Sequence, residues 1–189
     1  IGVMACGLVP GDTAQKATLF WSLPRDGHAA WQKAGLRAWK DEALGLWPEL
    51  APFLDQITDP DQMTMARYSH GTLRRPVGDG IAHIGAAAHR ASPQLGQGAN
   101  MALLDALALS RALTSCPVAK ALPRYAAARR RHVGVYQLMS AAFTPMYQSH
   151  SRLLPLFRDH VLFPVSQIPP VPWVLTQLVR GTLIRSGAD

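Results

Sequence analysis

The stretch HIGAAAHRASPQLGQGANMALLDALALSRAL, His83 to Leu113, governs how this chain is read. It opens as a short apolar run, passes through a Pro and two glycines flanking Gln97, and continues into a long apolar segment from about Ala99 to Leu113. A helix that begins there points unpaired N–H groups and roughly half a positive charge at whatever lies before it, a setting that suits electron-rich ligand groups. Gly96 and Gly98 lack Cβ atoms, so a flat ligand can approach the backbone, and either can take positive φ. Asn100 can cap the helix or offer its amide to a ligand. The helix is apolar on nearly every face, which predicts burial all round. The same spacing also suits a plain strand-to-helix turn with an Asn cap, and a GxG alone does not separate the two.

Around this stretch the signals are local ones. Ile81–Ala87 reads as a short, fully buried strand. Before it, GTLRRPVGDG reads as an irregular connector, and QMTMARYS, Gln62 to Ser69, alternates as a half-buried strand does. Residues 1–23 read as two strands about the turn PGDT, Pro10 to Thr13. From Ala29 to about Leu54 the period becomes helical, with Trp31, Leu36, Trp39, Leu44 and Trp47 as core anchors and breaks at Pro48 and Pro52. After Leu113 a second helix is expected from Arg124 to about Phe143. The Pro-rich last 45 residues are expected as short helices joined by Pro breaks.

Composition narrows the class. Hydrophobic residues make up 48% of the chain and charged residues 16%. That balance belongs to a folding sequence. The formal charge is +7, with the positive residues scattered in the first half and gathered in RYAAARRRH, Arg124 to His132. Its one aromatic, Tyr125, does not make the interleaved base-stacking platform that nucleic acid needs, so a solvated helical face is expected and no nucleic acid. Cys6 and Cys116 lack any CxxC or metal-ligand company and are expected as buried thiols in a reducing, cytoplasmic setting. No secretory leader or bilayer-length apolar run is apparent. No Ser-His-Asp set, carboxylate pair or metal cluster can be assembled, so no catalytic residue or metal site is assigned.

The stretch closely resembles the second FAD-contacting motif of the group A flavoprotein aromatic hydroxylases, FAD-dependent monooxygenases of the para-hydroxybenzoate hydroxylase type. That motif runs approximately G-D-A-A-H-x-x-x-P-x-x-G-Q-G-x-N-x-x-x-x-D-A. Gly85, Ala87, Ala88, His89, Pro93, Gly96, Gln97, Gly98, Asn100, Asp105 and Ala106 match it. The resemblance is strong within the motif and weaker over the rest of residues 1–143. It implies an α/β (α+β) fold: an incomplete FAD-binding Rossmann-like domain, part of a β-sheet substrate domain and a C-terminal helical segment. The divisions implied are 1–70 for the substrate region, 71–123 for the second half of the FAD domain and 124–189 for the helical region. The cofactor-binding residues implied are Gly85, Ala86, Pro93, Leu95, Gly96, Gln97, Gly98, Ala99 and Asn100. In that picture Pro93 to Gly98 lie beside the isoalloxazine, Ala99 and Asn100 face its pyrimidine end, and the strands of 1–23 and 62–69 help form a sheet over the substrate. The implied chemistry is reduction of FAD by NAD(P)H, then dioxygen activation as a C4a-hydroperoxyflavin that hydroxylates an aromatic or polyketide-like substrate.

Two departures stand out. The family carries Asp where this chain has Ala86, and that carboxylate hydrogen-bonds the ribityl chain of FAD. The N-terminal βαβ unit with GxGxxG is absent, and GLVPGD has the wrong glycine spacing to replace it. The complementary half of the FAD site is therefore expected on the same or another chain. His89 is expected as a fixture of the loop, and Arg67 and His70 as residues that could touch substrate. A non-catalytic or split-chain remnant serving as a binding or assembly module is the alternative. The tail, rich in Leu, Phe, Trp and Arg, suits a membrane surface or equally a second subunit.

Overall fold

The computed structural model describes residues 1–24, 26–180 and 182, apart from the side chains of Leu178 and Val179. Two units divide the chain, Ile1–Ala66 and Arg67–Asp189. The expected mixed α and β composition is observed.

In the first unit β1 (Gly2–Gly7) and β2 (Lys16–Phe20) form an antiparallel hairpin, with a bulge between Ala5 and Gly7. Its turn carries an Asp12–Lys16 ion pair at 2.8 Å. Helix α1 (His28–Leu46) is followed by a tight turn at Pro48–Leu50, the break expected at Pro48. Then comes α2 (Ala51–Leu54), whose first turn accommodates Pro52 instead of ending there. A further interruption lies at Gly35, whose φ of 81° and ψ of 166° only glycine adopts readily. Trp39, Ala43, Leu50 and Leu54 are buried, and Val3, Leu19, Trp21, Trp31, Leu36 and Met63 pack around them. Trp21 meets Trp39 edge to face with ring centroids 5.9 Å apart. Trp31 meets the same ring edge to face at 6.4 Å. Both arrangements are those the aromatic quadrupole favours. Of the expected anchors, Trp47 is exposed.

The strand expected at Gln62–Ser69 does not form. Gln62 closes a turn at Pro60–Gln62, capped by Asp59, and the chain is irregular from Met63 to His70. Alternation alone cannot hold a strand: its backbone bonds must go to a neighbouring strand, and β1 and β2 pair only with each other. Met65 and Tyr68 are accordingly exposed.

In the second unit two pairings of two-residue strands frame the start. β3 (Gly71–Thr72) pairs with β6 (His89–Arg90), and β4 (Val77–Gly78) pairs with β5 (Ile81–Ala82). The connector 71–80 is thus more ordered than expected. The strand predicted for 81–87 stops at Ala82, because Gly85 turns to a φ of 57° and opens a tight turn, Gly85–Ala87.

Helix α3 (Gly98–Ser115) then runs into α4 (Val118–Tyr147). They pack as an antiparallel pair, as a short connection between helices favours. Met101 meets Val133 and Tyr136, while Ala108 and Ala112 meet Ala121 and Tyr125. Helix α4 is longer than expected at both ends and absorbs Pro123, since burial of Ala121, Leu122 and Tyr125 outweighs one missing backbone bond. Helix α3 is not buried all round: Met101, Asp105, Ala108 and Ala112 are buried, but Leu103 is 69% exposed. Among the described residues α4, the preceding loop, and Val77 and Ala82 of β4 and β5 pack on the α3–α4 pair, and the far face of α3 stays exposed. Cys6 is exposed and Cys116 half-buried, so neither is the buried thiol expected.

Beyond α4 come α5 (Leu153–Phe157), a wider turn at Arg158–Leu162, α6 (Phe163–Ser166) and α7 (Val171–Arg180). Short Pro-punctuated helices are what the tail predicts. Among the described residues no helix is long and apolar enough to cross a membrane.

Trp39→Ala should remove about 3–5 kcal/mol from the stability of the first unit, whereas Leu103→Ala should stay within about 0.5 kcal/mol. Urea unfolding followed by tryptophan fluorescence and circular dichroism checks both.

Candidate flavin-facing loop

The residues between β5 and α3 hold their shape through one buried side chain. Asp105 lies two turns into α3 and is wholly buried. Its Oδ2 accepts the Gly85 backbone N–H at 2.8 Å and His89 Nε2–H at 2.6 Å, and its Oδ1 accepts Arg129 Nε–H at 2.6 Å. Burial alone would raise its pKa, but the hydrogen bonds from His89, Arg129 and Gly85 outweigh that and hold it below the ordinary carboxylate value. His89 is therefore a fixture of the loop, as expected.

Gly85 has no substitute at this place. Besides its positive φ, an added Cβ would lie 2.9 Å from the Cβ of Ala102, so the turn sits directly on α3.

Helix α4 grips the loop with residues spaced along one face. Tyr125 Oη donates to the His83 carbonyl at 2.9 Å, and burial followed by the nearby Asp105 charge pushes its pKa up to about 12. Burial also raises the Tyr136 hydroxyl, partly offset by a hydrogen bond with the Gln97 backbone. Gln137 Nε2 donates to the Arg90 carbonyl at 3.1 Å. Arg129 also donates from Nη1 to His132 Nδ1 at 2.7 Å. That contact fixes Nδ1 as an acceptor, because a guanidinium can only donate. Burial, and then the Arg129 charge, hold His132 below the ordinary imidazole value.

The expectation of a solvated Arg face on this helix is thus corrected. Arg130 and Arg131 are exposed, but Arg129 and His132 are buried. The signal was present in the sequence: residues 122, 125, 129, 133, 136 and 140 form one stripe, and Arg129 lies in phase with Tyr125 and Tyr136.

The opposite side of the loop is open. Ala86, Pro93, Gly96, Gly98 and Ala99 are exposed, and Leu95, Gln97 and Asn100 are half-buried. Gly96 ends the turn Pro93–Leu95 in the left-handed region at φ 62°. Added Cβ atoms at Gly96 and Gly98 would meet nothing within 4 Å. Helix α3 starts at Gly98 with Gln97 as its cap residue and no side-chain cap bond, so Asn100 is not the cap expected. Its Nδ2 instead donates to Gln97 Oε1 at 2.9 Å. Of the other two candidates, His70 Nε2 accepts from the buried Ser140 hydroxyl at 3.0 Å and from the Ser92 N–H at 3.5 Å, while Arg67 is exposed. Among the described residues no cluster of His, Cys, Asp and Glu could hold a metal.

The profile of a family described as FAD binding domain matches residues 8–135. The chain belongs to that family. The FAD binding domain match covers α3 and the loop before it and ends within α4. A 6-methylpretetramide 4-monooxygenase of Streptomyces rimosus is 29% identical over 172 residues, which are 86% of this chain and 40% of that protein. The chain therefore spans less than half the length of this relative. No solved structure matches it.

The residues present fit a flat cofactor ring: backbone without side chains at Gly96 and Gly98, a helix start beside them, and a braced rear face.

Two outcomes follow for stability. Gly85→Ala should destabilise the second unit by about 1–3 kcal/mol, from the strained φ and the contact with Ala102, read as a lowered thermal midpoint. As pH falls through about 6.5 the unfolded chain protonates a histidine such as His132 while the folded chain resists it. The stability this confers is complete above that pH and declines below it. In His132→Asn, which keeps an acceptor for Arg129, the loss of stability on acidification from neutral pH should flatten in denaturant titrations.

Proposed function

We propose that this chain is the isoalloxazine-facing part of an FAD-dependent monooxygenase that hydroxylates an aromatic, polyketide-like substrate with NAD(P)H as electron donor. The observation that carries the reading is the loop Gly85–Asn100, braced from behind by Asp105 and α4 and open in front at Gly96 and Gly98, within a chain of the FAD binding domain family. The Streptomyces rimosus relative, a monooxygenase named for 6-methylpretetramide, supports the substrate class.

In this reading residues 71–123 belong to a Rossmann-like FAD fold that a further, complementary segment completes, and 124–189 form a helical region beside it. Gly85 and Ala86 would lie along the ribityl chain, and Pro93 and Leu95 at the side of the ring. Gly96, Gln97 and Gly98 would continue along that side, and Ala99 and Asn100 would face its pyrimidine end. The N–H groups at the α3 start would stabilise negative charge there. Bound FAD supplies the redox chemistry and the activation of dioxygen. The chain's own part is to bind and orient the ring. Asn100 steadies Gln97, and the Tyr136 contact holds the Gln97 backbone.

Ala86 favours a second reading, a flavoprotein remnant that binds or assembles without turnover. It is exposed on the open side of the loop, where the resembling family carries a carboxylate.

One set of measurements separates the readings. The complete protein should purify with flavin absorption bands and oxidise NAD(P)H faster when a polycyclic phenolic substrate is added. Tight flavin binding with no NAD(P)H oxidation on any such substrate would favour the remnant. Ala86→Asp should tighten FAD binding by about 0.5–1.5 kcal/mol, one added hydrogen bond, measured by quenching of flavin fluorescence.

A further inference from the structure

We propose that Arg129 is a positioning residue for the flavin-facing turn, acting through Asp105, and that α3 is the rigid spacer linking two parts of the cofactor site. This rests on the flavin reading of the loop. The two oxygens of Asp105 divide their work: Oδ1 takes Arg129 Nε–H, and Oδ2 takes both Gly85 N–H and His89 Nε2–H. Arg129 therefore sets the rotation of the carboxylate, and the carboxylate holds both ends of the segment Gly85–His89. Ala86 lies inside that segment and is exposed.

Arg129 is itself fixed at three points, Nε on Asp105, Nη1 on His132 Nδ1 at 2.7 Å and Nη2 beside Met101 Sδ at 3.8 Å. A lysine has one ammonium and no planar fork, so it cannot reproduce this arrangement. Asp105 stands seven residues after Gly98, about 10 Å along the helix axis. One helix thus carries the N–H groups that would face the ring and, two turns on, the carboxylate that anchors the ribityl-side turn. The spacing between those two contacts is then a property of α3, and Arg129 keeps the far end in register.

The test uses the complete protein with Arg129→Lys, and Arg130→Lys at an exposed neighbour as control. Two quantities are read: amide hydrogen exchange over Gly85–Ala88 without cofactor, and the Kd for FAD. In Arg129→Lys, exchange at Gly85 should quicken roughly tenfold or more and the Kd should rise by a similar factor, with exchange at Ala43 in α1 unchanged. Arg130→Lys should match the wild type in both.

Because Arg129→Lys could fail to fold, the paired replacement Asp105→Leu with Arg129→Met supplies a second reading. It leaves no unpaired carboxylate or guanidinium inside. It should recover most of the thermal midpoint that Arg129→Met alone loses, and the Gly85 N–H and His89 Nε2–H left without their acceptor account for the rest. A merely structural role predicts that FAD affinity returns with stability, whereas positioning predicts a stable protein with fast Gly85 exchange and weak FAD binding. Wild-type affinity in the paired variant overturns the proposal. So does Arg129→Lys with a Kd within about twofold of wild type and unchanged Gly85 exchange. A wild-type protein that binds no FAD overturns the flavin reading itself, and this inference with it.

Discussion

A carboxylate buried inside an α-helical pair is costly to desolvate, and the second unit is arranged around keeping Asp105 paired. Its three donors come from three places: the backbone of a turn, a histidine after that turn and an arginine on the next helix. Remove one donor and the others lose their reason to converge. The antiparallel packing of α3 on α4 brings Arg129 within reach, and the same packing sets Tyr125 and Tyr136 against the two ends of the loop. Position in the fold and charge pairing therefore enforce each other.

This explains how residues as permissive as Gly96, Gln97 and Gly98 can form a defined surface. A glycine-rich segment is entropically expensive to order by itself. Here its order comes from behind, through side chains that never reach the open face. The exposed side is left to backbone and to small residues, which is what close approach of a flat ring requires. Ala86 belongs to this exposed side and is held in place although it contributes no polar group. In the proposed reading, a turn placed for a ribityl contact persists where the carboxylate does not.

Much of this was legible beforehand. The helix period with its break at Pro48, the hairpin about Pro10–Thr13 and the Pro-punctuated tail are local signals, and the chain follows them. The motif also marked Gly85, His89 and Asp105 by type and offset. It did not say that they touch one another, nor that their partner lies in a helix that reads as a basic surface. Arg129 was hidden by its neighbours: Arg130 and Arg131 are ordinary exposed cations, and composition cannot separate the three. Only phase along α4 does so. Residues 62–69 show the converse. Their alternation is real, but a strand needs a free neighbouring edge, and no local pattern reveals whether one exists.

Element types, the glycines that must take unusual backbone angles and the chemistry of the motif could all be read from the chain itself, because each depends on a residue and its near neighbours. The folded arrangement was needed to settle which side of α3 is covered, which of three arginines is buried and where the Asp105 carboxylate finds its partners. Those outcomes depend on contacts between residues far apart in the chain, such as Asp105 with His89 and Arg129. Burial then makes such contacts obligatory, since a charge removed from water must be met by donors wherever along the chain they lie.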